Sequence, residues 1–331
     1  MKRRATSRDV ARLAGVSQST VSFVLTGRGG ISEPTKKRVL AAAAELHYRP
    51  NLAARSMRTQ RTGHLAVALT VSPLNPLALL HGATKAAREA GYALEVVYVP
   101  GDLAARTERL AEIAASEEYE GILSFTPLHP HALLAEQSST VVLSLSEFDE
   151  EMHVTGEFTD ASPVVEMMER LVELGHRLFL HIEGDPTFPS AIARRAAYAA
   201  AVERLGVESL GIVGGSWRAQ AGLDAIAALP DDTPPFAVIA GNDIVATGAI
   251  RAARLRGWSV PGQMSVTGWD DNDHSAYLVP SLTTVVQDRE ELGINSMRRL
   301  IAAVRGEATP PPATGLQRVV WRESIGAPTA R

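Results

Sequence analysis

The chain has 331 residues, of which 45% are apolar and 21% charged, a composition typical of soluble globular proteins of about two domains. It contains no cysteine, which excludes disulfide bonds and thiolate chemistry. No run approaches the roughly 18 uncharged apolar residues that a membrane span requires.

The charge is divided unevenly along the chain. Residues 1–61 contain 13 Lys or Arg against three Asp or Glu, an excess of +10, and the formal total of −4 therefore leaves −14 for residues 62–331. The basic part can neutralise phosphates, which the acidic part would repel. Arg8, Asp9 and Arg12 interrupt any apolar segment of a secretory signal, so we expect a cytoplasmic protein.

A first helix is predicted to begin after Thr6 or Ser7, either of which can cap it. Val10, Leu13 and Ala14 recur at helical spacing and give this helix one apolar side. The next residue is a glycine, which permits a sharp turn. A second helix over 18–25 and a third from about 32 to 48 complete the pattern.

The second helix has two different sides. Ser17 is its candidate cap, and Val21, Val24 and Leu25 form its apolar side. The other side carries Gln18, Ser19, Ser22 and Phe23. A helix–turn–helix that enters the major groove of DNA needs this arrangement. The alternative is a generic three-helix bundle with a solvated basic surface.

The run RDVARLAGVSQSTVSFVL (8–25) and the run AAAAELHYRPN (41–51) resemble the headpiece of the LacI/GalR family of bacterial transcription repressors. The resemblance implies that Gln18 and Ser19 contact base edges and that hydroxyl side chains contact phosphates. The DNA-binding residues that it implies in this domain are Thr6, Ser17, Gln18, Ser19, Thr20, Ser22, Phe23, Ser32 and Thr35. Many family members carry arginine at the position of Phe23, which either contacts a thymine methyl or packs on the helix surface.

Residues 51–61 resemble the family's hinge. Seven residues, 51–57, are too few for a stable isolated helix, so we expect helix formation only against a second copy and DNA. Met57 stands where the family inserts an apolar wedge into the minor groove, although it could also be an exposed linker residue. The hinge residues implied to bind DNA are Asn51, Ala54, Arg55 and Met57.

From residue 62 onward, short apolar runs alternate with amphipathic helices. The predicted strands are 65–69, 94–99, 121–125, 141–145, 178–182, 236–240 and 265–268. The predicted helices are 77–90, 103–116, 192–205, 220–229 and 244–256. Alternation of this kind predicts an α/β fold of parallel sheets flanked by helices, with sites at the carboxyl ends of strands.

The same family resemblance extends over this part through LGHR (174–177), GNDIVATG (241–248), SVTGWDD (265–271), PSLTTV (280–285) and WRES (321–324). It implies a two-lobed, periplasmic-binding-protein-like domain of type I, crossed three times by the chain. The expected domains are a helix–turn–helix domain at 1–50, the hinge at 51–61 and an effector-binding and dimerisation domain at 62–331. Lobe 1 is expected at 62–174 and 289–317, and lobe 2 at 175–288 and 318–331.

The resemblance also implies an effector cleft between the lobes. Its polar candidates are Arg194, Asn242, Asp270 and Gln287, and its aromatic candidates are Phe125, Phe188, Trp217 and Trp269. Planar polar groups beside an aromatic face suit the vicinal hydroxyls of a sugar. The alternatives are ion pairs or capped turns for the polar residues and core packing for the aromatic ones. The loop 72–78 lacks the family's aromatic pair and leaves the effector's identity open.

Other chemistry has little support. No G-x-G-x-x-G follows the first strand and no G-x-S-x-G occurs. His129 and His131 lack metal-ligand partners at a suitable spacing, so we expect no metal, no cofactor and no enzymatic activity. A solute-binding receptor would fit the body but not the basic head, and a sugar-modifying enzyme would need a nucleophile or an acid–base pair.

These observations predict a homodimeric transcription regulator, most simply a repressor, that binds a pseudo-palindromic DNA operator. A small-molecule effector, expected to be a sugar or a sugar derivative, would shift the lobes and change the affinity for DNA. The sequence leaves open whether the effector induces or co-represses. No leucine heptad follows Ser324, which favours a dimer over a tetramer.

Overall fold

The computed structural model describes residues 5–25, 30–48, 61–70, 76–129, 138–145, 148–149 and 153–329. The chain divides into two compact units, Met1–Gly63 and His64–Arg331. None of the helices in the described ranges is long and apolar enough to cross a membrane.

The first unit contains the three predicted helices, α1 (Ser7–Ala14), α2 (Gln18–Leu25) and α3 (Glu33–Glu45). Thr6 caps α1 in a capping box, in which Asp9 N donates to Thr6 Oγ1 at 3.4 Å and Thr6 N donates to Asp9 Oδ2 at 2.9 Å. Ser17 caps α2, since Thr20 N donates to its Oγ at 3.0 Å. The predicted caps at Thr6 and Ser17 are confirmed.

The core of this unit brings one valine from each helix together, because Val10, Val21 and Val39 are fully buried. The prediction that Leu13 belongs to the apolar side of α1 was wrong. Leu13 is 47% exposed, and Ala11 is buried instead. At about 3.6 residues per turn, Ala11 and Ala14 lie on one side of Val10 and Leu13 on the other, so the side that packs on α2 and α3 is turned away from Leu13.

The second unit contains two four-stranded parallel sheets. The first has the order β2-β1-β3-β4 and the second the order β6-β5-β7-β8. The strands of the first sheet are β1 (His64–Leu69), β2 (Ala93–Tyr98), β3 (Gly121–Ser124) and β4 (Val141–Ser144), and those of the second are β5 (Leu178–Glu183), β6 (Glu208–Gly214), β7 (Phe236–Ala240) and β8 (Met264–Thr267). A third, antiparallel pair joins β9 (Thr284–Gln287) to β10 (Gln317–Val320). The α/β architecture with parallel sheets is therefore confirmed.

The helices of this unit flank the two sheets. They are α4 (Leu77–Glu89), α5 (Leu103–Ala115), α6 (Ser162–Glu173), α7 (Pro189–Leu205), α8 (Ala219–Ala227), α9 (Asp243–Leu255) and α10 (Arg289–Arg305). Helix α7 begins three residues before the predicted 192, because Pro189 suits the first position of a helix.

The chain crosses three times between the core of the first sheet and the core of the second sheet. Phe158, Leu292 and Leu316 pack in the core of the first sheet, whereas Val164, Val285 and Val319 pack in the core of the second. We refer to the two halves as lobe 1 and lobe 2.

Helix α6 corrects the expected lobe boundary at 174. Its residues Val164, Met167 and Leu171 are fully buried against Phe179 and Tyr198, which belong to the second sheet and to α7. Lobe 2 therefore begins before α6, and the first crossing lies near residue 160.

Helix α10 packs very closely on α4 and so belongs to lobe 1, as expected for residues 289–317. A Cβ on Gly293 would overlap the backbone carbonyl of Leu79, and a Cβ on Gly82 would overlap that of Glu290. The two glycines allow the helix backbones to approach each other. This contact anchors the segment that follows the second crossing.

Candidate functional site

The first candidate site is the outward side of α2. Gln18, Ser19 and Phe23 are exposed, and Ser22 is half-buried. Val21 and Val24 on the opposite side are buried. This is the two-sided arrangement predicted for a groove-reading helix. Phe23 is 40% exposed, so its ring is accessible from outside the core.

Polar side chains are connected around the start of α2. Ser17 Oγ lies 2.9 Å from Ser19 Oγ and 2.8 Å from Thr20 Oγ1, and Gln18 Nε2 donates to Ser7 Oγ at 2.8 Å. At the start of α3, Ser32 Oγ donates to Thr35 Oγ1 at 3.0 Å. Helix N-termini with hydroxyl groups favour phosphate oxygens. The DNA contacts of these residues remain predictions, and the hinge residues Asn51, Ala54, Arg55 and Met57 lie outside the described residues.

The second candidate site lies in the second unit, at the carboxyl ends of the lobe 2 strands. Arg194 on α7 is 6% exposed, and its guanidinium carbon lies 4.0 Å from the centre of the Trp269 ring. Its Nη1 donates to the backbone oxygen of Gly241 at 2.6 Å. Burial lowers the pKa of Arg194 to about 10, so the side chain stays cationic at neutral pH.

Asn242 and Asp243 follow β7 and begin α9. Asn242 Oδ1 caps that helix by accepting from Val245 N at 2.8 Å, which leaves the Nδ2 group as its remaining donor. Asp243 is fully buried and accepts hydrogen bonds from the Thr284 hydroxyl, the Ser275 hydroxyl and the backbone of Asn272. Burial raises its pKa to about 6. These bonds tie the loop after β8 to the start of α9.

Asp270 lies in that loop with a backbone φ of +101°, a conformation that non-glycine residues rarely adopt. Its backbone N–H donates to Val285 O at 2.9 Å, and its side chain is 29% exposed. Burial raises the pKa of Asp270, although Arg194 and Arg289 act in the opposite direction. Strained backbone held by its surroundings is typical of functional loops.

Three aromatic groups form a continuous contact beside Arg194. The Trp217 ring lies 5.7 Å from the Arg194 guanidinium and meets Phe188 edge-on with ring centres 5.5 Å apart. Phe188 also contacts His153 of lobe 1, with ring centres 4.2 Å apart. Trp217 lies directly over Gly184, where a Cβ would overlap the indole. His153 had not been identified from sequence, since a single histidine in a loop carries no motif.

Two other aromatic candidates are buried. Phe125 is 2% exposed and packs in the lobe 1 core with Phe148 and Phe158, so the structure favours core packing there. Trp269 is 1% exposed and lies beneath Arg194.

Gln287 contacts Arg289, a residue that no sequence motif indicates. Gln287 Oε1 accepts from Arg289 Nη2 at 2.6 Å, and the same nitrogen lies 3.8 Å from Asp270 Oδ1. Arg194, Asp270, Gln287 and Arg289 are thus connected by close contacts, and Asn242 follows Gly241, which Arg194 contacts. Effector binding by these residues stays a prediction. Within the described ranges no group of three or more His, Asp or Glu side chains could hold a metal ion.

A helix–turn–helix unit with one exposed helix side, together with a two-lobed α/β unit that carries polar and aromatic side chains at its strand ends, defines a ligand-responsive DNA-binding regulator. Comparison with known proteins agrees. Residues 6–51 match the model of bacterial regulatory proteins of the lacI family, and residues 168–325 match the periplasmic-binding-protein-like domain.

Similar proteins include the HTH-type transcriptional regulator AscG of Escherichia coli (strain K12), which is 30% identical over 97% of this chain and 98% of its own length. A crystal structure of the lac repressor dimer bound to operator and the anti-inducer ONPF matches with a TM-score of 0.69 and 27% identity, covering 98% of this chain and all of that one. The transcriptional regulator CelR in complex with cellobiose matches with a TM-score of 0.57 and 26% identity over 97% of this chain and all of that one. The chain belongs to the lacI family of bacterial regulatory proteins and is a DNA-binding transcriptional regulator with an effector-binding domain.

Proposed function

We propose that this protein is a homodimeric repressor that binds a pseudo-palindromic operator through α2. Binding of a carbohydrate between its lobes lowers or raises its affinity for the operator. The observation that carries the DNA-binding part is the outward side of α2. Gln18 and Ser19 are exposed there, while the opposite side of the helix is buried. Glutamine offers a bidentate pair of hydrogen bonds to adenine.

The cleft supports a sugar-sized effector. Arg194 uses one nitrogen on Gly241, and its other N–H groups donate no hydrogen bond among the described residues. Asp270 supplies carboxylate oxygens, and Trp217 supplies an aromatic face. Planar polar groups beside such a face match the hydroxyls and the C–H surface of a pyranose. CelR, a relative of similar fold, binds cellobiose.

The coupling between cleft and operator follows from the three crossings. A ligand that contacts both lobes favours one lobe arrangement and shifts the population towards it. Because the hinge segment 51–61 precedes lobe 1, that shift would alter hinge pairing in the dimer, with Met57 as the minor-groove wedge. The protein would act in the cytoplasm, on the nucleoid when bound to its operator, and without catalytic activity.

The test is selection of genomic fragments by the immobilised full-length protein, followed by elution with single sugars. We expect a small set of fragments that share an inverted repeat, and elution by one sugar class. The variant Q18A/S19A is the matched control, because it removes two exposed side chains without touching the core. If the wild type enriches no fragment, or if Q18A/S19A enriches the same set equally well, the proposed reading of DNA is wrong.

A further inference from the structure

Arg289 places a second guanidinium group in the cleft. It stands at the second crossing, at the first residue of α10, and is 19% exposed. Its Nη2 contacts Gln287 Oε1 and approaches Asp270 Oδ1, which are both candidate effector-binding groups. Its Nε is buried and has no hydrogen-bond partner among the described residues. The guanidinium is partly exposed, so a ligand that contacts Gln287 or Asp270 can also meet it.

The two guanidinium groups share a single accessible carboxylate. Asp270 is the nearest acidic partner of Arg289, and the 3.8 Å distance is too long for a direct hydrogen bond. Asp270 also acts electrostatically on Arg194. One loosely placed carboxylate therefore faces two arginines that stay cationic at neutral pH.

The other nearby carboxylates are already engaged. Asp243 accepts three hydrogen bonds and is fully buried, so it does not reach a ligand. Asp271 forms an ion pair of 2.7 Å with Arg322. His181 is neutral at pH 7, because burial lowers its pKa to about 4. Asp185, which follows β5, accepts hydrogen bonds from the backbone and the hydroxyl of Thr187. Immediately around Arg289, the described residues therefore present two guanidinium groups and one carboxylate, which is a net positive charge.

We propose that the cleft selects an effector with an acidic group, a carboxylate or a phosphate on a carbohydrate-sized molecule, and that Arg289 and Arg194 bind this group. This inference rests on the proposed ligand role of the cleft. The planar fork of a guanidinium matches the paired oxygens of carboxylate and phosphate. Trp217 would then contact the sugar ring, and Asp270 would accept hydrogen bonds from its hydroxyls.

The test uses full-length protein and four probes at constant ionic strength set with sodium chloride: glucose, gluconate, glucose 6-phosphate and inorganic phosphate. Thermal unfolding and calorimetry report binding, since a ligand that binds the folded state raises the Tm. We expect inorganic phosphate to stabilise the wild type, and R289Q to raise its Kd at least tenfold. R195Q is the matched control, because Arg195 is the neighbour of Arg194 but points to Glu183 and is half-exposed; its Kd should stay within twofold of the wild type.

The second variant, R289K, controls for the case in which R289Q does not fold. R289K keeps the charge but loses the fork, and we expect a Kd between those of the wild type and R289Q. The inference is overturned if none of gluconate, glucose 6-phosphate and inorganic phosphate stabilises the wild type, or if each stabilises the wild type and R289Q equally. Gluconate and glucose 6-phosphate separate carboxylate from phosphate. Operator binding is measured on the same samples. If the wild type binds the operator but none of the anions has an effect, only this inference fails. If the wild type does not bind the operator, the proposed function itself is contradicted.

Discussion

Replacing Gly184 by alanine tests whether Trp217 forms the wall of the cleft. Gly184 has no left-handed backbone conformation, so alanine adds only its Cβ. That Cβ would overlap three atoms of the Trp217 six-membered ring, and the indole must therefore move. Overpacking of this kind costs about 1–3 kcal/mol. At about 2–4 °C per kcal/mol for a unit of this size, the Tm should fall by roughly 2–12 °C.

The displaced indole should also change the cleft. Trp217 contacts Phe188 and lies near Arg194, so its movement should red-shift the tryptophan emission and weaken binding of the eluting sugar. The double variant G184A/W217L separates the two effects, because leucine removes the overlapping ring atoms. In the W217L background, adding G184A should cost less than about 0.5 kcal/mol, which a double-mutant cycle measures.

If G184A lowers the unfolding free energy equally in both backgrounds, the cost does not come from the Trp217 ring. If G184A leaves the Tm, the emission and the sugar affinity unchanged, Trp217 does not pack on Gly184.

Four further outcomes are expected. T6A should lower the unfolding free energy of the first unit by about 1 kcal/mol, seen by far-ultraviolet circular dichroism, because the α1 cap is lost; unchanged stability would contradict the capping box. D270G should raise the Tm by relieving the φ of +101°, while D270A should not, and both should weaken sugar binding. F23R should shift the selected operators towards guanine at one symmetric position, which sequencing of bound fragments would reveal. The pKa of Asp243 is raised to about 6 in the folded state, so between about pH 4 and pH 6 the folded protein holds a proton that the unfolded chain has lost. As the pH rises from about 4 to about 6, the unfolding free energy of the wild type should therefore fall relative to that of D243N. Parallel curves of stability against pH for the two proteins would contradict this.

Much of the fold could be predicted where burial leaves a clear pattern. Strand β7 (Phe236–Ala240) is buried at every position and reads as a continuous apolar run. Strand β6 (Glu208–Gly214) was missed because it lies at a sheet edge, is only half-buried in the middle and contains two glycines. Strand propensity is weak at such positions.

Lobe membership was harder to predict than secondary structure. An amphipathic pattern shows that one side of α6 is buried but not against which sheet, and the boundary at 174 was wrong for that reason. The positions of Asn242, Asp270 and Gln287 could be predicted because they lie in motifs near strand ends, whereas their role in effector binding stays a prediction. Arg289 and His153 were not, because a single Arg at a helix start or a His in a loop usually faces solvent.

The most direct test of the account measures operator affinity with and without the eluting sugar, in the wild type and in R194M. Fluorescence anisotropy on one selected fragment at fixed salt is sufficient. We predict that both proteins bind the fragment equally in the absence of sugar, and that the sugar changes the affinity at least fivefold in the wild type only. If the sugar changes both proteins equally, or neither, the cleft around Arg194 does not control DNA binding.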